Sequence, residues 1–191
     1  MVISPKVILK LGDRVPLVSN LGERDLFEPE GLGFDLRVGE VFAISGEGFL
    51  GVEDRDTPPA QAVTANVVNG RQQYSLPPGA FILVRTMETV ALPSSPIFVE
   101  ELGASVWLLV TVLPRSTLQR CGVLLLATKV DPGYNGALTF GLANLGGCPF
   151  RVERGGRIAN IVFHSALGEA KPYGGQWNGG RVATESRERQ V

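Results

Sequence analysis

Short apolar runs, each closed by glycine or proline, recur along the chain with a period of two rather than 3.6. Phe34, Leu36 and Val38 alternate with Asp35 and Arg37, as a half-buried strand requires, and residues 31–44 read as a strand pair. Asp35 and Arg37 then share a face, where the plain role is a surface ion pair worth about 0–1 kcal/mol. Pro77-Pro78-Gly79 makes a turn into two strands, residues 81–86 and 88–92. Further strands are predicted at 97–102 and 105–113. Residues 106–113 are so uniformly apolar that both faces should be buried, with Trp107 in the core. Residues 149–163 read as strand, Gly-Gly turn, strand.

Outside these runs the pattern changes. Residues 4–11 predict a short helix with Ser4 as N-cap, Pro5 in the first turn and Gly12 as its stop. Irregular structure follows to residue 30, with a short strand near Val15–Val18. Residues 46–73 form a polar excursion with a turn or hairpin at Asn69-Gly70. From Ser165 onward no core period remains. The expected organisation is one β domain over residues 1–167 and a flexible tail or lid over 168–191.

Composition narrows the class. Hydrophobic residues make 44% and charged residues 19%, and a net charge of −1 lacks the basic excess that a nucleic-acid polymer demands. No run approaches the ~18 consecutive apolar residues of a membrane span. Cys121 and Cys148 are isolated and no leader pattern begins the chain, so a reducing cytoplasm is the expected compartment. His164, the single histidine, cannot build a metal cluster and reads as an ordinary strand-end residue.

The candidate chemistry lies in residues 114–144. Arg115, Ser116, Thr117 and Arg120 make an anion-binding turn, and Asp131-Pro132-Gly133-Tyr134-Asn135-Gly136 makes an acidic one. Two turns joined through buried strands are expected to converge on one nucleotide pocket. Tyr173, Trp177 and Arg181, on a Gly-rich frame, suit stacking and phosphate contact.

Taken in order, the segments resemble the dUTPase / dCTP deaminase superfamily, closer in layout to the deaminase branch. The resemblance runs over roughly residues 1–181. It rests on Phe34-Asp35-Leu36-Arg37-Val38-Gly39, on Leu76 to Pro93, on Arg115-Ser116-Thr117-Leu118 with Arg120 and Gly122, on Val130 to Gly136, on Gly156 with Ile158-Ala159, and on Tyr173 with Gln176-Trp177-Asn178-Gly179. It implies an all-β fold with few short helices, a distorted jelly-roll-like barrel of the β-clip type. A homotrimer with sites between subunits, closed by the C-terminal tail, is implied too. By match, Arg115, Ser116, Thr117 and Arg120 would hold phosphates. Asp131 would accept the deoxyribose 3′-hydroxyl and position water, and Tyr134 would exclude a 2′-hydroxyl. Lys129, Gly136 and Asn160 would complete the substrate contacts, Asn160 standing where relatives carry Gln, and Tyr173, Gln176 and Trp177 would form the lid. Mg²⁺ would ride on the triphosphate of dUTP or dCTP rather than in a protein cage.

Two departures bear on the reaction. Gly141 stands where the deaminases carry the Glu that shuttles protons, help commonly worth ~10²–10⁴ in rate. The stretch from Gly122 to Asp131 is also about two residues shorter than in relatives and lacks their base-lining hairpin. The first expectation is therefore a dUTP diphosphatase-like hydrolase, with Asp131 and Arg115 catalytic. The alternative is a dCTP deaminase homologue, active through a substitute residue or inactive and regulatory. A purely structural trimer comes last.

Overall fold

A computed structural model describes residues 1–13 and 16–190. After a short strand β1 (Val2–Ile3), Pro5 opens helix α1 (Pro5–Gly12), which buries Pro5 and Ile8. Ser4 occupies the N-cap position, but its side chain makes no capping bond. Of the strand expected near 15–18, Val15 lies outside the described residues and pairing begins at β2 (Val18–Ser19). A five-residue helix, α2 (Glu23–Phe27), follows where irregular structure was expected; it is too short to show a period.

The predicted strand pair at 31–44 is one 11-residue strand, β3 (Phe34–Ile44). The polar excursion holds β4 (Phe49–Leu50), β5 (Asp54–Asp56), β6 (Ala60–Ala62) and the hairpin β7 (Asn66–Val68) and β8 (Arg71–Leu76). Asn69 and Gly70 both take positive φ, 51° and 75°, the geometry of a tight hairpin turn. Residues 81–91 likewise form a single strand, β9 (Phe81–Ala91), because nothing at Met87 breaks the alternation. Strand β10 (Ile97–Val99) stops short of the predicted Leu102, where a 3₁₀ turn takes over.

Next come β11 (Ala104–Pro114), α3 (Ser116–Arg120), β12 (Val123–Leu126), β13 (Asn135–Asn144), β14 (Phe150–Glu153) and β15 (Arg157–Ala166). A last short strand, β16 (Glu188–Arg189), lies in the tail. Trp107 is buried and donates from Nε1 to the Gly168 carbonyl at 3.0 Å. His164 sits within β15, its Nε2 2.9 Å from Thr111 Oγ1.

The main sheet runs β10-β11-β15-β3-β9-β13-β12, and every pairing in it is antiparallel. A bridge between Val110 and Val130 brings the far end of this order back onto β11, so the sheet curls into the expected distorted barrel. Its interior holds Phe34, Leu36, Val84, Val110, Leu142 and Ile161, all fully buried. Phe34 meets Phe163 edge-on at 6.1 Å. Two smaller sheets flank the barrel, β14-β8-β7 and β16-β5-β4; the second ties the tail to the excursion. Among the described residues no helix is long and apolar enough to cross a membrane.

Candidate functional site

Asp35 is the centre of the first cluster. Pairing of β3 with β15 sets it opposite Asn160, and pairing of Pro114 with Ala159 brings the end of β11, and so Arg115, alongside. The carboxylate is fully buried and accepts hydrogen bonds from Arg115 at 2.8 Å, Arg24 at 2.7 Å, Arg157 at 3.0 Å and the Asn160 amide at 3.1 Å. Burial pushes its pKa up, but the Asn160 hydrogen bond and the Arg115 and Arg24 charges outweigh this and hold it below the ordinary carboxylate value. Arg24 also pairs with Asp25 at 3.3 Å and Glu30 at 2.9 Å, so three carboxylates balance the three guanidiniums, whose side chains are 34–42% exposed. The buried Asp35 carboxylate thus holds Arg115 and Arg157 in fixed orientations with their guanidiniums partly exposed.

The surface pair expected between Asp35 and Arg37 is not formed. Both faces of β3 are covered, and Arg37 pairs instead with fully buried Glu88 on β9, at 2.6 Å from Nε and 2.7 Å from its backbone N–H. Beside the arginines, α3 carries Ser116, Thr117 and Arg120 at the surface, with no side-chain partner among the described residues.

The second cluster lines a cavity of about 570 Å³ on the outer face of β13 and β9. Lys129, Asp131, Tyr134, Tyr173 and Trp177 all contribute to its wall. Lys129 Nζ donates to Asp131 Oδ1. Tyr134 donates from its hydroxyl to the Ala137 carbonyl at 2.7 Å and meets the Tyr173 ring edge-on at 5.8 Å. Burial, then the nearness of Tyr173, pushes its phenol up to about 12.

Residues 173–182 close over this cavity. Tyr173 donates its N–H to the Pro132 carbonyl and Gly179 to that of Asn135, each at 2.7 Å. Gly136 is required there, since a Cβ would meet the Gly180 nitrogen at 2.3 Å. The excursion holds the tail from outside. Arg55 donates to the Gln176 side-chain oxygen and stacks on the Trp177 ring at 4.8 Å, with Arg181 also against that ring at 5.9 Å. Buried Thr184 exchanges hydrogen bonds with Thr57 and donates to Asp56 at 2.9 Å.

At Gly141 an added Cβ would stand 2.8 Å from the Phe81 ring and 3.3 Å from Leu126. The space into which a side chain at 141 would project is filled by Phe81, itself part of the cavity wall. Nor do the two clusters meet within one chain. Val130 is bridged to Val110, and Arg115 follows the end of β11 five residues further on, roughly 16 Å at ~3.3 Å per residue. Arg115, Ser116, Thr117, Arg120 and Asn160 do not line the cavity, so the convergence expected from sequence does not occur in the monomer. Among the described residues no three His, Cys, Asp or Glu side chains gather to hold a metal, and Asp131 is the one carboxylate of the cavity wall.

Arg24, Arg157, Glu88, Arg55 and Phe81 were not foreseen as site residues. Arg157 directly follows the Gly155-Gly156 turn and could have been suspected as a cation at a strand start. Glu88 and Phe81 lie in the Leu76–Pro93 stretch of the resemblance, which gave them no role, and Arg24 and Arg55 are brought in by long-range contacts that no local pattern announces.

A curled β-barrel carrying a buried carboxylate–arginine hub and a lidded cavity defines a protein of the dUTPase / dCTP deaminase superfamily. More narrowly, a family model described as dCTP deaminase-like matches residues 17–166, and the chain belongs to that family. A dCTP deaminase of Halorubrum lacusprofundi is 35% identical over 141 residues, covering 68% of this chain and 64% of that protein. A dUMP-forming dCTP deaminase of Dictyoglomus thermophilum is 30% identical over 161 residues, with 80% and 77% covered. Among solved structures, the 2′-deoxycytidine 5′-triphosphate deaminase from Agrobacterium tumefaciens superposes with a TM-score of 0.61 at 17% identity, a likeness of fold. That match covers 86% of this chain and 48% of the Agrobacterium chain. The chain thus spans just under two thirds of the Halorubrum relative and about half of the Agrobacterium one.

Proposed function

We propose that the chain binds a deoxynucleoside triphosphate between copies of itself in a cytoplasmic homotrimer and hydrolyses it to the monophosphate and pyrophosphate, with dUTP as a substrate. The observation that carries this reading is Gly141 against the Phe81 ring. Attack of water on a cytosine ring needs a proton carrier beside the base, and neither residue is one. Hydrolysis at phosphorus asks for charge neutralisation and an oriented water instead.

The cavity and the arginine hub supply those separately. One copy offers Asp131, whose carboxylate leaves Lys129 to take the 3′-hydroxyl and orient the water. Tyr134 packs against the deoxyribose, and the tail from Tyr173 through Gln176 and Trp177 keeps bulk water out. A neighbouring copy offers Arg115, preset by Asp35, with Ser116, Thr117 and Arg120, to the phosphates. The α-phosphorus gains the water oxygen as Asp131 takes the water's proton, its bond to the bridging oxygen breaks, and pyrophosphate leaves; magnesium arriving on the substrate would neutralise charge on the phosphates.

A second reading, a nucleotide-binding regulator without turnover, is favoured by the Lys129–Asp131 contact and the already seated tail. Incubation with Mg²⁺ and dUTP or dCTP, following pyrophosphate release and ring deamination separately, decides between them. Pyrophosphate that disappears in Asp131→Asn supports hydrolysis. Tight binding with neither product supports the regulator, and deamination of dCTP overturns both.

A further inference from the structure

The excursion and the end of the chain are fastened to each other by a row of polar contacts. Strand β16 pairs antiparallel with β5, Glu188 opposite Arg55 and Arg189 opposite Asp54. Gln190 continues the ladder by donating its N–H to the Glu53 carbonyl at 2.6 Å. The Arg187 guanidinium lies over the Phe49 ring at 4.4 Å. Nearer the cavity, Thr184 and Thr57 each donate a backbone N–H to the other's hydroxyl, at 2.8 and 3.0 Å.

The same stretch of tail is tied back onto the residues that cover the cavity. Gln176 Nε2 donates to the Arg189 carbonyl at 2.8 Å, and Arg181 pairs with Glu188. Arg55 joins the pieces, since its backbone lies in β5 while its side chain reaches Gln176 and the Trp177 ring. Residues 173–181 and 184–190 are thus cross-tied, and lifting one pulls the other. These ties have no apolar core beneath them. No residue from 45 to 60 is buried, and of residues 181–190 only Thr184 is. Segments held by partly exposed polar contacts open locally while buried strands stay closed. Residues 169–171, exposed and without regular structure, join the tail to the barrel.

We propose that the excursion is a latch for the tail of its own chain. Residues 173–190 open and close as one unit about a hinge at 169–171, and the cavity is uncovered only when β16 leaves β5. A tail over the cavity was expected from the sequence; its fastening by the excursion was not. The latch does not depend on what the cavity binds.

Amide hydrogen exchange of the full-length protein without ligand tests this at the Tyr173 and Gly179 N–H groups, whose bonds to Pro132 and Asn135 close the cavity. Asp56→Ala, on the excursion, removes the acceptor of the Thr184 hydroxyl. Glu188→Pro removes the partner of Arg181 and puts a residue without a ladder donor into β16. One net hydrogen bond is worth about two- to twelvefold in an opening equilibrium. Asp56→Ala should speed exchange at both amides by about that factor, and Glu188→Pro by about tenfold or more. The two amides should accelerate together, with those of β9 and β13 unchanged. Acceleration confined to residues 184–190, or found at one of the two amides without the other, overturns the latch. Acceleration spread equally through β9 and β13 also overturns it, because the tail would then open only with the barrel.

Discussion

Replacing Asp35 by Asn tests the arginine hub at its centre. The substitution keeps the shape of the side chain and removes the charge that faces Arg24, Arg115 and Arg157. Breaking a buried ion pair from one side commonly costs about 3–5 kcal/mol. Here the guanidiniums are 34–42% exposed and can turn partly to water, which lowers the figure to about 2–3 kcal/mol. For a domain of this size that is a fall in melting temperature of about 4–12 °C. The folded-state pKa of Asp35 lies below its unfolded value, so its stabilisation is complete above the unfolded value of about 4 and is lost as pH falls through the folded one. Urea unfolding at fixed protein concentration should show a gap between wild type and Asp35→Asn that is full at pH 7 and narrows as pH falls below the unfolded value. A gap under about 0.5 kcal/mol at pH 7, or one independent of pH, would refute the hub as described.

Further expectations follow from single contacts. Gly141→Glu must displace the Phe81 ring and should cost about 1–3 kcal/mol, recovered in part by adding Phe81→Ala; thermal unfolding reads both. Thr184→Val removes the hydroxyl that accepts from the Thr57 N–H and donates to Asp56, leaving only the backbone N–H of residue 184 on Thr57 Oγ1, at about 1–2 kcal/mol of local stability. Trypsin should then cut at Arg181 and Arg187 about five- to thirtyfold faster. With its phenol pushed up to about 12, Tyr134 should give an ionisation step near that pH in an ultraviolet titration, and Tyr134→Phe should remove it. Because this pKa is raised on folding, the neutral phenol's contribution is present below about 10 and lost as pH rises toward 12.

Much of the barrel was legible because its strands alternate and its turns carry their own residues. Asn69-Gly70 announced a hairpin, and Gly155-Gly156 separated two strands. The strand ends were less legible. Alternation continues through residues 31–44 and 81–91 whether the chain forms one strand or two, and only pairing decides. At the site, motif resemblance pointed to Asp131, Tyr134, Tyr173 and Trp177, and the fold gathers these around one cavity. Asp35 read as a surface residue since its alternation with Phe34 and Leu36 assigned it to the outer face. That face is covered by α2 and the arginines of distant strands, a burial that a period of two cannot reveal. The filling of the space at Gly141 by Phe81 likewise depends on the β9–β13 register, sixty residues apart in the chain.

In the proposed assembly Arg115 and Asp131 act together only across two chains. Co-refolding equal amounts of Arg115→Ala and Asp131→Asn protein tests it, with pyrophosphate release from dUTP as the readout. Random assembly makes about one site in four from two intact halves, one from each chain, since one mutant chain supplies Asp131 and the other Arg115. Neither variant should release pyrophosphate alone, and the mixture should regain about a quarter of the wild-type rate. A mixture as inactive as its components, beside an active wild type, would contradict the account.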